Sequence, residues 1–119
     1  MTTENDILAT INDSTFLETV FQKETDWDAA LCTRESAEFD GAWCASYEKV
    51  SSSCPSEGAQ VKEIREIAFK KVYQVTENAD LAGYVSDDMG LIAQACQNKV
   101  EIDFIDNLWK TYMRGEFPT

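Results

Sequence analysis

Apolar side chains recur at intervals of three and four residues along nearly the whole of this chain, and nowhere do they alternate over the length of a strand. Such a period puts the apolar groups on one stripe of a helix, which is stable only if that stripe is buried. The two prolines, Pro55 and Pro118, leave long stretches in which nothing interrupts a helix. The expected fold is all-α, a single compact bundle of six or seven short-to-medium helices. At 119 residues it is one helical domain, large enough for a core without disulfide or metal staples.

Thr3 and Asp6 open the first helix, whose stripe is Ile7, Leu8 and Ile11, and the Asn12-Asp13-Ser14 cluster ends it and caps the next. Leu17, Val20 and Phe21, with Phe16 beside them, form the second stripe. Thr25 and Asp28 mark another helix start. From Asp26 to Ser51 the spacing fits either one long helix or two joined near Asp40-Gly41. Phe39, Trp43, Tyr47 and Val50 line up along it. Residues 51–58 read as a loop that joins a more acidic first half to the second half. A helix over 59–77 follows, with Val61, Ile64, Ala68, Val72 and Val75 as its stripe and Glu66 and Lys70 paired outside. Asn78 is expected to cap a short helix through Tyr84, and Ser86 to cap another. The last helix spans 101–113, with Ile102, Ile105, Leu108, Trp109 and Tyr112 inward and Gly115 closing it.

The charge is lopsided: 22 Asp and Glu against 10 Lys and Arg, for a net charge of −12. Residues 1–57 hold 12 of the acids and only 3 of the bases. A field of this sign repels nucleic acid and anionic membrane and attracts basic protein surfaces. The apolar content of 44% is too high for a disordered acidic tail. With no basic, apolar leader and no long apolar run, the chain is expected to be soluble and cytoplasmic, with Cys32, Cys44, Cys54 and Cys96 reduced. A Cys44–Cys54 disulfide would require an oxidising compartment. Cys96 reads as a small core residue and Cys54 as exposed in its loop.

Chemistry is narrowed by what the chain lacks. Without histidine, Ser-His-Asp and Cys-His catalysis are excluded, and a zinc site would need four scattered thiolates. No phosphate-cradling glycine motif occurs. Carboxylates three residues apart (Glu35 and Glu38, Glu63 and Glu66, Glu77 and Asp80, Asp103 and Asp106) could hold Mg²⁺ on adjoining helices, but chance gives such pairs as often in so acidic a chain. Asp87 and Asp88 after Ser86 read as acids complementing a helix N-terminus. No catalytic residue, cofactor or metal is therefore assigned.

What remains is a surface. The stripe through Phe39, Trp43 and Tyr47 is either core or, in part, a set of aromatic anchors rimmed by acids. In the second reading the binding residues are Glu18, Glu24, Asp26, Trp27, Glu35, Glu38, Asp40, Trp43, Tyr47 and Glu48. Small acidic helical domains without catalytic groups fit immunity or antitoxin-type proteins that neutralise a basic toxin, often a nuclease, by electrostatic and steric occlusion. That is an analogy of physical type, with no family motif matched. No direct nucleic-acid or membrane binding is expected. The competing readings are a Mg²⁺-dependent all-α hydrolase and a structural or regulatory oligomer subunit.

Overall fold

The computed structural model describes residues 4–13, 15–22, 27–53 and 58–118. Among these there are seven helices: α1 (Glu4–Asn12), α2 (Phe16–Gln22), α3 (Trp27–Arg34), α4 (Ala37–Ser53), α5 (Ala59–Thr76), α6 (Ala79–Gln97) and α7 (Asp103–Met113). The architecture is all-α. No helix among the described residues is long and apolar enough to cross a membrane.

Helix α6 is the axis of the assembly. It packs most extensively on α5, and α1, α4 and α7 also lean on it. From Val85 to Ala95 all but Asp87 are buried, and every one of those neighbours takes part in covering it. Ile7 and Ile11 of α1, Leu17 and Val20 of α2, Ile64 and Val72 of α5, and Ile105 and Leu108 of α7 join it in one core. Val50 at the far end of α4 is fully buried as well.

The expected pair of helices over 78–97 is a single helix. Asn78 does cap it, accepting from the backbone N–H groups of Asp80 and Leu81 at 3.0 and 3.1 Å. Ser86, however, sits in its interior, buried, where its hydroxyl donates to the Arg65 carbonyl of α5 at 2.9 Å. A serine is a good cap because its oxygen competes for backbone groups. Here a neighbouring helix supplies the partner, so the serine need not end its own.

Two helices, not one, cover the described residues from Trp27 to Ser51, and the break lies at Glu35 and Ser36 rather than at Asp40-Gly41. The Ser36 hydroxyl oxygen accepts from the Phe39 N–H at 3.3 Å, which caps α4. Gly41 is carried inside the helix. Helix α4 also runs on through Ser51–Ser53, residues expected to open the loop. The rest of that loop, with Cys54, lies outside the described residues except for Gly58, as do Thr3 and Thr25. Cys96 is half-buried against the core, and Cys32 and Cys44 are exposed free thiols.

Helix α5 matches its expected stripe from Val61 to Val72, but Val75 is exposed at the end of the helix. The Glu66–Lys70 pair forms at 2.7 Å. Asp13 caps α2, its carboxylate accepting from both the N–H and the hydroxyl of Thr15, and these two bonds hold its pKa below the usual range. Helix α7 starts at Asp103, two residues late, and ends in a six-residue cap closed by Gly115 at φ 77°. There the Glu116 N–H reaches the Thr111 carbonyl and the Gly115 N–H that of Tyr112.

Gly83 lies inside α6 with nothing within 4 Å of where a Cβ would stand. A glycine in a helix interior costs about 1 kcal/mol relative to alanine through backbone entropy. Gly83→Ala should therefore stabilise the protein by roughly that amount and raise Tm by about 4 °C or more, read by thermal denaturation.

Candidate partner-binding surface

The part of the molecule that carries α3 and α4 is held to α6 by one buried charge cluster. Arg34, the last residue of α3, is 4% exposed, and Asp88 of α6 is fully buried. Their planar groups meet in a two-pronged pair, Nη1 to Oδ2 and Nη2 to Oδ1, each at 2.7 Å. The Trp43 indole N–H of α4 donates to Oδ1 at 2.9 Å, and the Tyr112 hydroxyl of α7 donates to Oδ2 at 2.6 Å. Each oxygen of Asp88 thus accepts two hydrogen bonds. The guanidinium carbon lies 4.5 Å from the ring centre of Phe39 and 5.1 Å from those of Tyr84 and Phe117. Nη1 also lies 3.4 Å from the Pro118 carbonyl, so the C-terminal segment is tied to the same point.

Burial would by itself lower the Arg34 pKa, but the hydrogen bonds and charge of Asp88 outweigh it and raise the value. Burial first, then the charge of Asp88, pushes Tyr112 well above its ordinary 10.0, against the pull of Arg34. For Asp87, exposed on the next position, desolvation raises the pKa against the opposing pull of Arg65, with which it pairs at 3.1 Å.

This placement corrects the assignment of Asp88 to a helix N-terminus. It sits in mid-helix on the inward stripe Leu81, Val85, Asp88 and Ile92. The signal was present as an acid interrupting an apolar stripe. Its partner was one of only three cations in the first 57 residues. Nothing in the spacing could join the two, because they are 54 positions apart.

The cluster fixes Trp43, and Trp43 in turn positions Tyr47. Their rings stack at 5.7 Å with an angle of 12° between planes, and Tyr47 is 48% exposed. The aromatic stripe is therefore graded: Val50 is core, Phe39 and Trp43 are half-buried, and Tyr47 faces solvent. Glu38, Asp40 and Glu48 of α4 are exposed around it. Glu35 is exposed at the α3–α4 junction, where it accepts from the Tyr84 hydroxyl at 3.2 Å. Trp27 turns inward, 5.0 Å from Phe21 and 6.4 Å from Phe117. Glu18 is exposed on α2, apart from this group. Glu24 and Asp26 lie outside the described residues.

Among the described residues, no three carboxylate or thiol groups converge in a way that could hold a metal ion. What the α3–α4 layer presents is Tyr47, exposed and stacked on Trp43, with exposed carboxylates along α4 and at its start. Residues 6–119 match the family model described as Immunity protein PIM1. The chain belongs to this family. No curated protein matches it. Membership in an immunity family implies that a toxin is the partner this chain binds.

Two measurements check the buried cluster. Asp88→Ala strands the Arg34 charge and should cost about 3–5 kcal/mol, whereas replacing Arg34 and Asp88 with apolar groups and Tyr112 with Phe, so that no buried charge or hydroxyl is left unpaired, should cost less. Tyr112 keeps its proton in the folded protein at pH values where the unfolded chain loses it. Its contribution is intact below about pH 10 and is lost as pH rises beyond that. The stability advantage of the native protein over Tyr112→Phe, measured by urea denaturation, should accordingly narrow above about pH 10.

Proposed function

We propose that this immunity protein neutralises a basic toxin, with a nuclease as the leading candidate, by laying the acidic α3–α4 surface over the toxin's cationic substrate cleft. The observation that carries the reading is Tyr47. It is exposed, yet its ring is held by Trp43, whose indole is fixed to the buried Asp88. An aromatic side chain ordered before binding loses little entropy when it enters a partner's pocket. Glu48 beside it and Asp40 two turns before it on the same flank of α4 are exposed acids, and Glu35 and Glu38 add negative charge to the same end of the α3–α4 layer. Such rim charges raise the rate of encounter with a basic partner and orient the approach.

Steering and locking are separable. The acids act at distances of a Debye length, so their effect falls as salt rises. Tyr47 acts after contact, through dissociation. A carboxylate-lined surface also resembles the phosphate row of the nucleic acid that a nuclease cleft accepts. Nucleases act on nucleic acid inside the cell, so the inhibitor would meet its target in the cytoplasm.

The experiment uses the product of a toxin-like reading frame adjacent to this one, with binding followed by stopped flow. Reversing Glu38, Asp40 and Glu48 to Lys should slow association by about tenfold or more and flatten its salt dependence. Tyr47→Ala should leave association nearly unchanged and speed dissociation about 30-fold, the equivalent of about 2 kcal/mol. If association is indifferent to salt and to the reversed charges, electrostatic occlusion through this face is wrong.

A further inference from the structure

Helices α3 and α4 are consecutive in the chain, and they meet the rest of the molecule through contacts unlike those that join α5 to α6. Val61, Ile64 and Val72 of α5 and Leu81, Val85 and Met89 of α6 are each fully buried. Among the described side chains from Trp27 to Ser52, Val50 is the one hydrophobic group so enclosed. Trp27, Leu31, Phe39 and Trp43 pack against the core half-buried. The other helices build their core without this layer: α1 and α2 pack on α5, α1 and α7 on α6, and Ile7, Ile11, Leu17 and Ile105 are buried there.

The polar fastening of the layer converges on one residue. Arg34 ties α3 to Asp88 and Trp43 ties α4 to it, so both helices hang on the same carboxylate of α6. Such a fastening is directional yet easy to undo. Taking a guanidinium and a carboxylate out of water costs nearly as much as their attraction gains, and opening restores their hydration. Closure also leaves a donor unmet: the Arg34 Nε is buried and has no hydrogen-bond partner among the described residues. In the open form it bonds to water, so its desolvation weighs against the closed form with nothing to offset it. Charge acts in the same direction. Residues 27–53 carry five acids and two bases, a net −3 that faces −9 on the rest of the chain, and like charge favours separation.

We propose that α3 and α4 open and close as one unit, latched at Asp88, over a core of α1, α2, α5, α6 and α7 that stays folded. Opening of this kind is sub-global: it gives up the half-buried aromatic contacts and the latch but keeps the apolar core. Because both helices share the carboxylate, loosening either one loosens the other. The inference rests on packing and charge within this chain and stands independently of the toxin reading. It has a consequence for any partner that grips Tyr47. Trp43 is fixed to Asp88 in the closed form, and Tyr47 with it, so such a partner binds the closed form and draws the layer shut.

Hydrogen exchange of the unmodified chain, followed by mass spectrometry at neutral pH in urea below the unfolding transition, provides the test. Amides of residues 27–53 should exchange through one shared opening, about 30-fold or more frequent than the opening that releases the amides of α5 and α6. Its urea dependence should be smaller, because less surface is exposed. Trp43→Phe keeps an aromatic ring but removes the hydrogen bond that α4 donates to Asp88. It should raise opening about fivefold in α3 as well as in α4, and leave α5 and α6 unchanged. If the wild-type amides of 27–53 exchange only as fast and as urea-sensitively as those of α5 and α6, the layer does not open on its own and the proposal falls. Amides of α3 that ignore Trp43→Phe while those of α4 respond also overturn it, since the two helices then move separately.

Discussion

The pairing of Arg34 with Asp88 is the constraint on which the α3–α4 layer of this protein depends. A carboxylate wholly removed from water is tolerable only when its lone pairs are filled and its charge is met. Here a guanidinium, an indole and a phenol fill them, from α3, α4 and α7. Helices α3 and α4 have weak apolar faces of their own, and of the residues between Trp27 and Ser53 only Val50 is a fully buried hydrophobic side chain. Their position relative to α6 is therefore set more by a directional polar cluster than by hydrophobic area. Hydrogen bonds impose angles that apolar contact does not.

That directionality reaches the surface. Asp88 orients Trp43, and Trp43 supports the exposed Tyr47. The core and the candidate binding face are thus two ends of one chain of contacts, in which the stability of the interior also orders an anchor for a partner. The outer face of α5 is ordered differently. Gly90 lets the stem of Arg65 lie directly on α6, where a Cβ would come within 2.6 Å of its Cδ. The close approach holds Arg65 beside Asp87.

Much of this was legible in the residues. Helical period, the Asn78 cap, the Gly115 terminus and the stripe from Val61 to Val72 are local features, decided within one or two turns, and each stands where its spacing puts it. The membership in an immunity family agrees with the physical type read from acidity and missing catalytic groups. The misplaced features share one cause. Ser86 and Asp88 are polar residues whose usual local roles, capping and dipole complementation, were overridden by partners on other helices. The stripe of Phe39, Trp43 and Tyr47 had a period but no way to say how far it sank, because burial depends on what covers it.

The amino-acid sequence alone determined the helical class, the apolar faces and the uneven charge, since backbone propensity, side-chain period and ionisation are properties of short segments. The tertiary structure decided which acid is buried and which aromatic is exposed. It also decided that Tyr47 of α4 and Arg65 of α5 border the same strip of α6. Those are relations between residues tens of positions apart, and only packing around α6 brings them within reach of one another.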